Sequence, residues 1–376
     1  MPPIVACRIQ DGMSWERPHG WPYPTKVQLQ FQSSLTPRLS EMASTLNPKS
    51  ENYPLVTAFV GCYNHSRFVE ECLDSIRHQT YPNLQVIIFD DCSKDNSVSV
   101  IDTWLKKHRL DWQFIPHTRN IGICASLNEV LRLARGKYIS MVAADDVWLP
   151  DKTAGQVEIM QQMPEEVGIL YSDAFQIDEN GKTLPQMFIE AHRKFVVPPE
   201  GFLFDVLWEG NFIPAMTTLI RRECFTQVGT YDEDLCFEDW DMWMRISRTF
   251  RFAYDKIPAA KYRIVSSSAS RTMSQAMYRS VELLRVKCFF RGWLNAEQGR
   301  NAALSMDAVV WRLYQVGSHI PLRWKIALLK QNCSAKTICL IVCSTCGLSF
   351  AKFQQILAFG VVLKGMIFHQ QREHRL

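Results

Sequence analysis

The sequence predicts an α/β fold in which a mostly parallel sheet is flanked by helices and followed by a C-terminal helical region. From Leu55 onward, apolar runs alternate with amphipathic stretches, a pattern typical of βαβ units. Two of the apolar runs stop abruptly at paired aspartates. After about Met273 the apolar residues recur at helical spacing, which predicts the helical region.

The first three elements are read directly from the spacing of apolar residues. Residues 55–61 form one apolar run, and residues 86–89 form a second that ends at Asp90 and Asp91. Between the two runs, apolar side chains recur every three or four residues, at Phe68, Cys72, Leu73 and Ile76. This spacing places them on one face of a helix, so the segment predicts strand, helix, strand.

The same patterns predict the later elements. They lie at 98–107 (helix), 113–115 (strand), 125–135 (helix, with Gly136 at its C-cap), 138–142 (strand), 152–163 (helix), 168–171 (strand) and 201–208 (helix). The strand at 138–142 also ends in carboxylates, Asp145 and Asp146. Open α/β sheets bind ligands at the carboxyl ends of their strands, so the two acidic pairs predict one shared crevice.

Three regions follow from the changes in pattern along the chain. Residues 1–53 lack sustained periodicity and predict a poorly ordered extension, residues 54–272 predict the α/β domain, and residues 273–376 predict the helical region. The apolar stretch at 338–368 is interrupted by Lys352, Gln354 and Gln355. It therefore falls short of the ~18 uninterrupted apolar residues of a spanning helix, which leaves ordinary packing or peripheral membrane contact.

Composition excludes some classes of protein. The 42 Lys and Arg residues exceed the 38 Asp and Glu residues by only four, and no basic block is interleaved with aromatic residues, so a nucleic-acid partner is not expected. The N-terminus lacks the pattern of a secretory signal. The 12 cysteines are therefore expected to be reduced thiols, and the location is expected to be cytoplasmic, with peripheral membrane contact left open.

The acidic pairs are the main candidates for ligand binding, because neither a dinucleotide-binding Gly motif nor a Walker loop is present. Ionised Asp90 and Asp91 can accept hydrogen bonds from a nucleotide base and ribose. Asp145 is the candidate metal ligand, and Asp146 assists by coordination or by orienting it. A divalent cation there would bridge a diphosphate and offset charge on the leaving nucleotide.

A further acidic pair, Glu238 and Asp239, stands just ahead of an amphipathic segment, where carboxylates favour the positive end of a helix dipole. Transfer of a sugar to a hydroxyl with inversion needs a base that removes the acceptor proton. Asp239 is the first candidate for this base, and Glu238 is the second. Both could instead be simple helix N-terminal charges.

Taken together, these residues resemble the inverting glycosyltransferases of family 2, which have the GT-A fold with a Rossmann-like sheet. The match covers somewhat over half the chain and comprises the strand and loop at 56–64, Asp90-Asp91-Cys92-Ser93-Lys94-Asp95, Arg119-Asn120-Ile121-Gly122, Ala144-Asp145-Asp146, Glu238-Asp239-Trp240 and Tyr262-Arg263. The order and spacing of the pieces are specific for the family, but not for a donor or an acceptor.

The resemblance implies a function and a set of binding residues. It implies transfer of a hexose from a nucleoside-diphosphate sugar to a glycan or lipid-linked acceptor, in cell-surface polysaccharide or glycolipid assembly, with manganese or magnesium as cofactor. It places Tyr63, Asn64, Arg119 and Asn120 in the nucleotide-sugar site together with the two aspartate pairs.

Two positions depart from the family pattern. Ala143 stands where the first aspartate of Asp-x-Asp is usual, and Val265 stands where a histidine often follows the Tyr-Arg segment. Both usual residues contribute to metal binding in the family, so these departures weaken the expected metal site.

Other interpretations remain open at this point. The departures fit a non-catalytic nucleotide-sugar or glycan-binding module, whereas a nucleotidyltransferase is disfavoured because its Gly-rich loop is missing. Asp91 to Asp95 resembles the opening of a calcium loop, although Asn96 replaces the turn glycine. The pairs Asp90-Asp91 and Asp145-Asp146 could also be a helix cap and a solvated turn.

Overall fold

The computed structural model describes residues 53–195, 197–265 and 275–315, together with positions 342, 345, 348, 349 and 352. The predicted extension at 1–53, except for Tyr53, and most of the apolar stretch at 338–368 lie outside the described residues. The strands are β1 Val56–Cys62, β2 Leu84–Asp90, β3 Gln113–Pro116, β4 Tyr138–Ala143, β5 Val147–Trp148, β6 Val167–Ile177, β7 Thr183–Met187, β8 Leu219–Arg221 and β9 Arg251–Arg263.

The helices alternate with these strands in the first half of the chain and cluster after them in the second. They are α1 Val69–Arg77, α2 Ser97–His108, α3 Ile123–Leu133, α4 Lys152–Gln162, α5 Phe188–His192, α6 Phe204–Trp208, α7 Arg222–Val228, α8 Asp239–Ile246, α9 Gln275–Phe290 and α10 Ala296–Gln315. A 3₁₀ turn at Ala215–Thr217 precedes β8. Within the described ranges, no helix is both long and apolar enough to cross a bilayer.

The strands form a mixed α/β sheet in the order β3-β2-β1-β4-β8-β6-β9-β5, with β7 at the side of β6. The strands β3, β2, β1 and β4 run parallel, β8 is antiparallel to both of its neighbours, and β6 and β9 are parallel again. In the parallel half, Gly61 pairs with Phe89 and Ala143, and Cys62 pairs with Asp90. The carboxyl ends of β1, β2 and β4 therefore meet at one edge, as the acidic pairs predicted.

Helices cover both faces of the sheet because its strands are apolar on both sides. Ala58 and Val60 of β1 pack on the side covered by α1 and α2. Phe59, which points the opposite way, belongs to a larger core that includes residues of α3, α6, α8, α9 and α10. The buried residues of α1 are Val69, Cys72, Leu73 and Ile76, so its predicted apolar face is the one that packs on the sheet.

Two predicted helices have other bounds, since the helix expected at 201–208 begins at Phe204. The helix expected at 125–135 begins at Ile123 and ends at Leu133, and Gly136 is not its C-cap. Gly136 is required for a different reason: a Cβ atom there would lie 2.5 Å from the backbone nitrogen of Thr57. The glycine lets the chain entering β4 approach β1 closely, and its own N–H donates to Thr57 Oγ1 at 2.9 Å.

Candidate active site

The loops after β1 and β2 are joined by hydrogen bonds at the edge of the sheet. Asn64 has a φ of 60°, and in this conformation its side-chain oxygen accepts from Lys94 N at 2.7 Å. Asn64 N in turn donates to Ser93 Oγ at 2.8 Å. Tyr63, by contrast, is 41% exposed. The loop thus leaves Tyr63 exposed and uses Asn64 to fix its own shape.

Asp90 is fully buried at the end of β2, and its carboxylate is turned onto the loop that follows. Its two oxygens accept from Ser93 N at 2.7 Å and from Ser93 Oγ at 2.5 Å. Nearby, hydrogen bonds from Ser97 and Ser66 outweigh burial and lower the pKa of Asp95 to about 2. Because N–H and O–H donors occupy these carboxylates, the loop does not form a calcium site.

Asp91 anchors the start of α3. Its Oδ1 and Oδ2 accept from Ile121 N and Gly122 N at 2.8 and 2.9 Å, and His117 Nδ1 lies 3.1 Å from Oδ1. Gly122 has a φ of 88°, which is costly for residues with a side chain. Asp91 therefore fixes the turn that leads into α3, and it does not cap the helix α2 that follows it in sequence.

Arg119 and Asn120 lie on the exposed loop that precedes α3. Asn120 Nδ2 donates to the carbonyl oxygen of Asp91 at 2.9 Å, so it ties this loop to the end of β2. The guanidinium of Arg119 faces solvent beside these loops, where its planar fork can bind a phosphate or a base.

Arg263 organises the loop that follows β4. Its Nε donates to the carbonyl oxygen of Asp145 at 2.8 Å, and its backbone N donates to Asp146 Oδ1 at 2.8 Å. Asp146 is 2% exposed, and burial followed by the charge of Asp145 raises its pKa well above the usual range. Asp146 is thus an internal acceptor, whereas Asp145 is left to face the crevice.

The carboxylate of Asp145 fits a divalent cation. Its side chain is 12% exposed, and no hydrogen bond reaches its oxygens from the residues that the structure describes. Ala143, at the end of the same strand, is exposed. No group of three or more His, Cys, Asp or Glu side chains in the described ranges could hold a metal.

Glu238 and Asp239 are half-buried where α8 begins. Burial, and then the negative charge of Asp239, raise the pKa of Glu238 to about 8. Burial also raises the pKa of Asp239, but Asn211 Nδ2 and Trp240 N donate to its oxygens at 2.7 and 2.6 Å and oppose this effect. Burial therefore favours the protonated form of the pair, whereas the two donors favour ionisation at Asp239.

A chain of ring contacts connects Asp239 with the loop after β4. His192 lies close enough for its charge to lower the pKa of Asp239 against the effect of burial. The His192 ring stacks on Phe188 at 4.0 Å, and Phe188 meets Tyr262 edge-on at 5.0 Å. Tyr262 precedes Arg263 on β9, so the ring contacts run from His192 to the strand whose last residue donates to Asp145 and Asp146.

A second contact links the segment before the Glu238-Asp239 pair with helix α3. Cys124, in the first turn of α3, donates through Sγ to the carbonyl oxygen of Phe237 at 3.5 Å. Phe237 immediately precedes Glu238. Since Asp91 fixes the start of α3, the loops after β2 and before α8 are held by the same helix.

Sequence reasoning missed several residues that the fold brings to this region. Asn211 and His192 come from loops and short helices with no motif around them, so no signal in the sequence singled them out. Arg263 had a signal, because it belongs to the Tyr-Arg segment, but its hydrogen bonds to the β4 loop could not be foreseen. Trp243, expected in the core, is fully buried.

Comparison with known proteins identifies the class of this domain. Residues 57–229 match the family described as Glycosyl transferase family 2, and this part of the chain is a family 2 glycosyltransferase domain with the GT-A fold. The match ends before Glu238 and Asp239, so it does not include the candidate base.

Relatives support the same class. An uncharacterized glycosyltransferase of Rickettsia bellii is 27% identical over 230 residues, which cover 59% of this chain and 31% of that protein. The putative teichuronic acid biosynthesis glycosyltransferase TuaG of Bacillus subtilis is 26% identical over 258 residues, which cover 66% of this chain and 96% of TuaG. The chain spans about a third of the length of the Rickettsia bellii and Rickettsia felis relatives, 31% and 36%.

A solved structure shares the fold. S. aureus TarS, residues 1–349 in complex with UDP-GlcNAc, superposes with a TM-score of 0.51 and 17% sequence identity, covering 74% of this chain and 80% of that one. At this identity the likeness concerns the fold alone.

Proposed function

We propose that the protein is an inverting glycosyltransferase that moves a sugar from a nucleoside-diphosphate sugar to a hydroxyl group of an acceptor. The observation that carries this proposal is the hydrogen bonding of Asp239 at the start of α8, where Asn211 Nδ2 and Trp240 N donate to its carboxylate oxygens at 2.7 and 2.6 Å and favour the ionised form. An ionised carboxylate at the acceptor side is what removal of a hydroxyl proton requires.

In the proposed reaction, Asp239 accepts the proton of the acceptor hydroxyl as the oxygen attacks the anomeric carbon. The bond between that carbon and the diphosphate oxygen breaks on the opposite face, and the nucleoside diphosphate leaves with the bonding electrons. Asn211 holds the Asp239 carboxylate in place during this step through its 2.7 Å hydrogen bond. Inversion at the anomeric carbon follows from attack on the face opposite the leaving group.

The nucleotide is proposed to lie across the loops after β1 and β2. Tyr63 offers an exposed ring, and Arg119 offers a solvent-facing guanidinium for a phosphate or base. Asp90 and Asp91 are proposed to shape this surface, because their carboxylates already accept hydrogen bonds from the loops. Backbone groups and Ser93 beside them are the nearest donors and acceptors for base and ribose.

Asp145 is proposed to hold a manganese or magnesium ion, with Asp146 and Arg263 fixing the loop behind it. Such an ion supplies positive charge to the diphosphate as it leaves. An acceptor from cell-surface polysaccharide or lipid-linked glycan assembly is proposed from the resemblance to TuaG, which is named for teichuronic acid biosynthesis.

Release of nucleotide from a sugar donor tests the proposal. The purified chain is incubated with UDP-, GDP- and dTDP-sugars, with manganese or with chelator, beside Asp239→Asn and the exposed control Asp111→Asn. We expect one donor to be turned over, with a loss of about 10²- to 10⁴-fold in Asp239→Asn and no change in the control. Equal turnover in both variants would overturn the assignment of the base.

A non-catalytic binding module is the second candidate, favoured by Ala143 and Val265 in place of the usual metal-binding residues. It predicts saturable binding of one nucleotide sugar by calorimetry, with no turnover of that donor in any acceptor extract. Turnover abolished by Asp239→Asn excludes this second function.

A further inference from the structure

His65 lies next to the position that Ala143 leaves without a carboxylate. It follows β1, and the end of β1 pairs with the end of β4 through Gly61 and Ala143. His65 Nε2 lies 3.6 Å from Asp145 Oδ2, and the two side chains are 25% and 12% exposed. This separation is too long for a hydrogen bond. Two donors bound to one cation at about 2.1 Å each lie no more than about 4.2 Å apart, so the two atoms can share an ion.

The surroundings of the imidazole leave Nε2 next to Asp145. His65 Nδ1 is buried and has no hydrogen-bond partner among the described residues. The backbone of His65 is fixed independently, because its N donates to Ser97 Oγ at 3.0 Å. The ring is therefore held beside the Asp145 carboxylate through Nε2 without a hydrogen bond between them.

We infer that His65 Nε2 is a ligand of the divalent cation, together with Asp145, in place of the carboxylate that Ala143 lacks. This inference rests on the proposed function, because a nucleoside diphosphate would supply further ligands to the cation. The positions of the two protein ligands, His65 and Asp145, are defined by the fold. A nitrogen and an oxygen donor suit transition-metal ions better than magnesium, which prefers oxygen ligands alone. The site should accordingly bind Co²⁺ and Mn²⁺ more tightly than Mg²⁺.

Pulsed electron paramagnetic resonance of bound Mn²⁺ tests the ligand directly, because a coordinated imidazole gives a ¹⁴N coupling to the ion. The full chain is measured with Mn²⁺ alone and with Mn²⁺ and UDP or GDP, as wild type, His65→Ala and the control His78→Ala. His78 is exposed and contacts Arg77 on the surface of α1. We expect the ¹⁴N coupling in the wild type and in the control, and its loss in His65→Ala.

Affinity gives a second readout. Removing a ligand should raise the Kd for Mn²⁺ by about tenfold or more, since loss of even an outer-sphere partner costs about 10- to 100-fold. The double variant His65→Ala/Ala143→Asp carries two carboxylates, one at position 143 and that of Asp145. In this variant, Mg²⁺ binding should strengthen relative to Mn²⁺ binding. Ala143 is exposed, so the longer side chain has room.

The outcomes separate this inference from the proposed function. Bound Mn²⁺ without ¹⁴N coupling, coupling that persists in His65→Ala, or failure of the wild type to bind Mn²⁺ would each overturn the His65 ligand. Donor turnover that is unaffected by chelator would overturn it too, while leaving glycosyl transfer intact. Imidazole-bound Mn²⁺ with no turnover of any donor would support the ligand and count against the transferase.

Discussion

The guanidinium of Arg263 holds the backbone of Asp145, since its Nε donates to the carbonyl oxygen of that residue at 2.8 Å. The same side chain, only 2% exposed, also donates to Glu71 Oε2 at 2.5 Å and lies 4.8 Å from the ring centre of Phe68. The last residue of β9 thereby joins the loop after β4 to helix α1. Arg263 is thus a positioning residue for Asp145.

Arg263→Lys should disturb this loop while keeping the positive charge. The lysine ammonium cannot reach all the acceptors that the guanidinium contacts, so two buried hydrogen bonds are lost. We therefore expect the free energy of unfolding to fall by about 2–4 kcal/mol. The KM for the donor should rise more than kcat falls. Urea unfolding and donor kinetics measure both effects, with the exposed Arg251→Lys as the control. Unchanged KM would contradict the positioning role.

Glu238→Gln should change how stability depends on pH. The folded-state pKa of Glu238, about 8, lies above its ordinary value of 4.5, so its contribution to stability is fully present below about pH 4.5 and is lost as the pH rises through 8. The glutamine variant stays neutral. Its Tm relative to wild type should therefore rise from pH 5 to about pH 8 and level off above it, as measured by calorimetry.

The exposed Glu165→Gln serves as the control for this series, and its Tm difference from wild type should stay constant with pH. Parallel pH profiles for Glu238→Gln and wild type would show that Glu238 is not held protonated. For a chain of this size, each 1 kcal/mol corresponds to a shift of roughly 2–4 °C, which is well within reach of calorimetry.

Asp91→Asn should loosen the start of α3. The amide can accept from only one of the two N–H groups that now reach the carboxylate, and it carries no charge toward the helix dipole. We expect a loss of about 1–3 kcal/mol and faster hydrogen exchange at Ile121 and Gly122. The control Asp102→Asn removes only an exposed pair with Lys106 and should cost less than about 1 kcal/mol. Unaltered exchange at both amides would show that Asp91 does not fix the turn before α3.

Lys152→Met should stabilise the protein most at low pH. Lys152 is 4% exposed, and burial lowers its pKa from 10.5 to about 7, although its Nζ donates to Ser140 Oγ at 2.7 Å. Between about pH 7 and 10.5 the unfolded chain binds more protons than the folded one, so this group makes stability rise with pH across that window. The methionine variant lacks this dependence.

The Tm advantage of Lys152→Met over wild type should thus be largest near pH 6 and shrink toward pH 10. Differential scanning calorimetry across this range measures it, with Lys106→Met as the exposed control. A difference that stays constant with pH would mean that Lys152 does not titrate within the window.

Much of the acidic edge of the sheet could be predicted from the sequence, because strand ends and acidic pairs are local features. Asp90 and Asp145 could be placed at one edge since apolar runs stopped just before them, and the registers of β2 and β4 with β1 agree. The helix before Gly136 was misjudged at its ends, because glycine after a helical run usually marks a C-cap. The close approach of Thr57, which is 79 residues away, decided that position instead.

The sequence could not predict which of the acidic residues accept hydrogen bonds from the rest of the protein. Asp90, Asp91 and Asp146 looked alike as carboxylates after strands, yet the fold gives each of them donors and leaves Asp145 free of any from the described residues. These donors come from residues up to 117 positions away, so no local pattern reports them.

By itself, the sequence determined the strands and helices of the parallel half of the sheet, its acidic edge and the resemblance to family 2, because periodicity and motif spacing are written along the chain. It did not predict β5, β7, β8 or β9. Only the tertiary structure decided which carboxylates accept hydrogen bonds within the fold, that burial raises the pKa of both Glu238 and Asp239, and that His65 lies beside Asp145. The physical reason is that burial, hydrogen-bond partners and charge separation depend on distances across the fold, and these set the chemistry of each side chain.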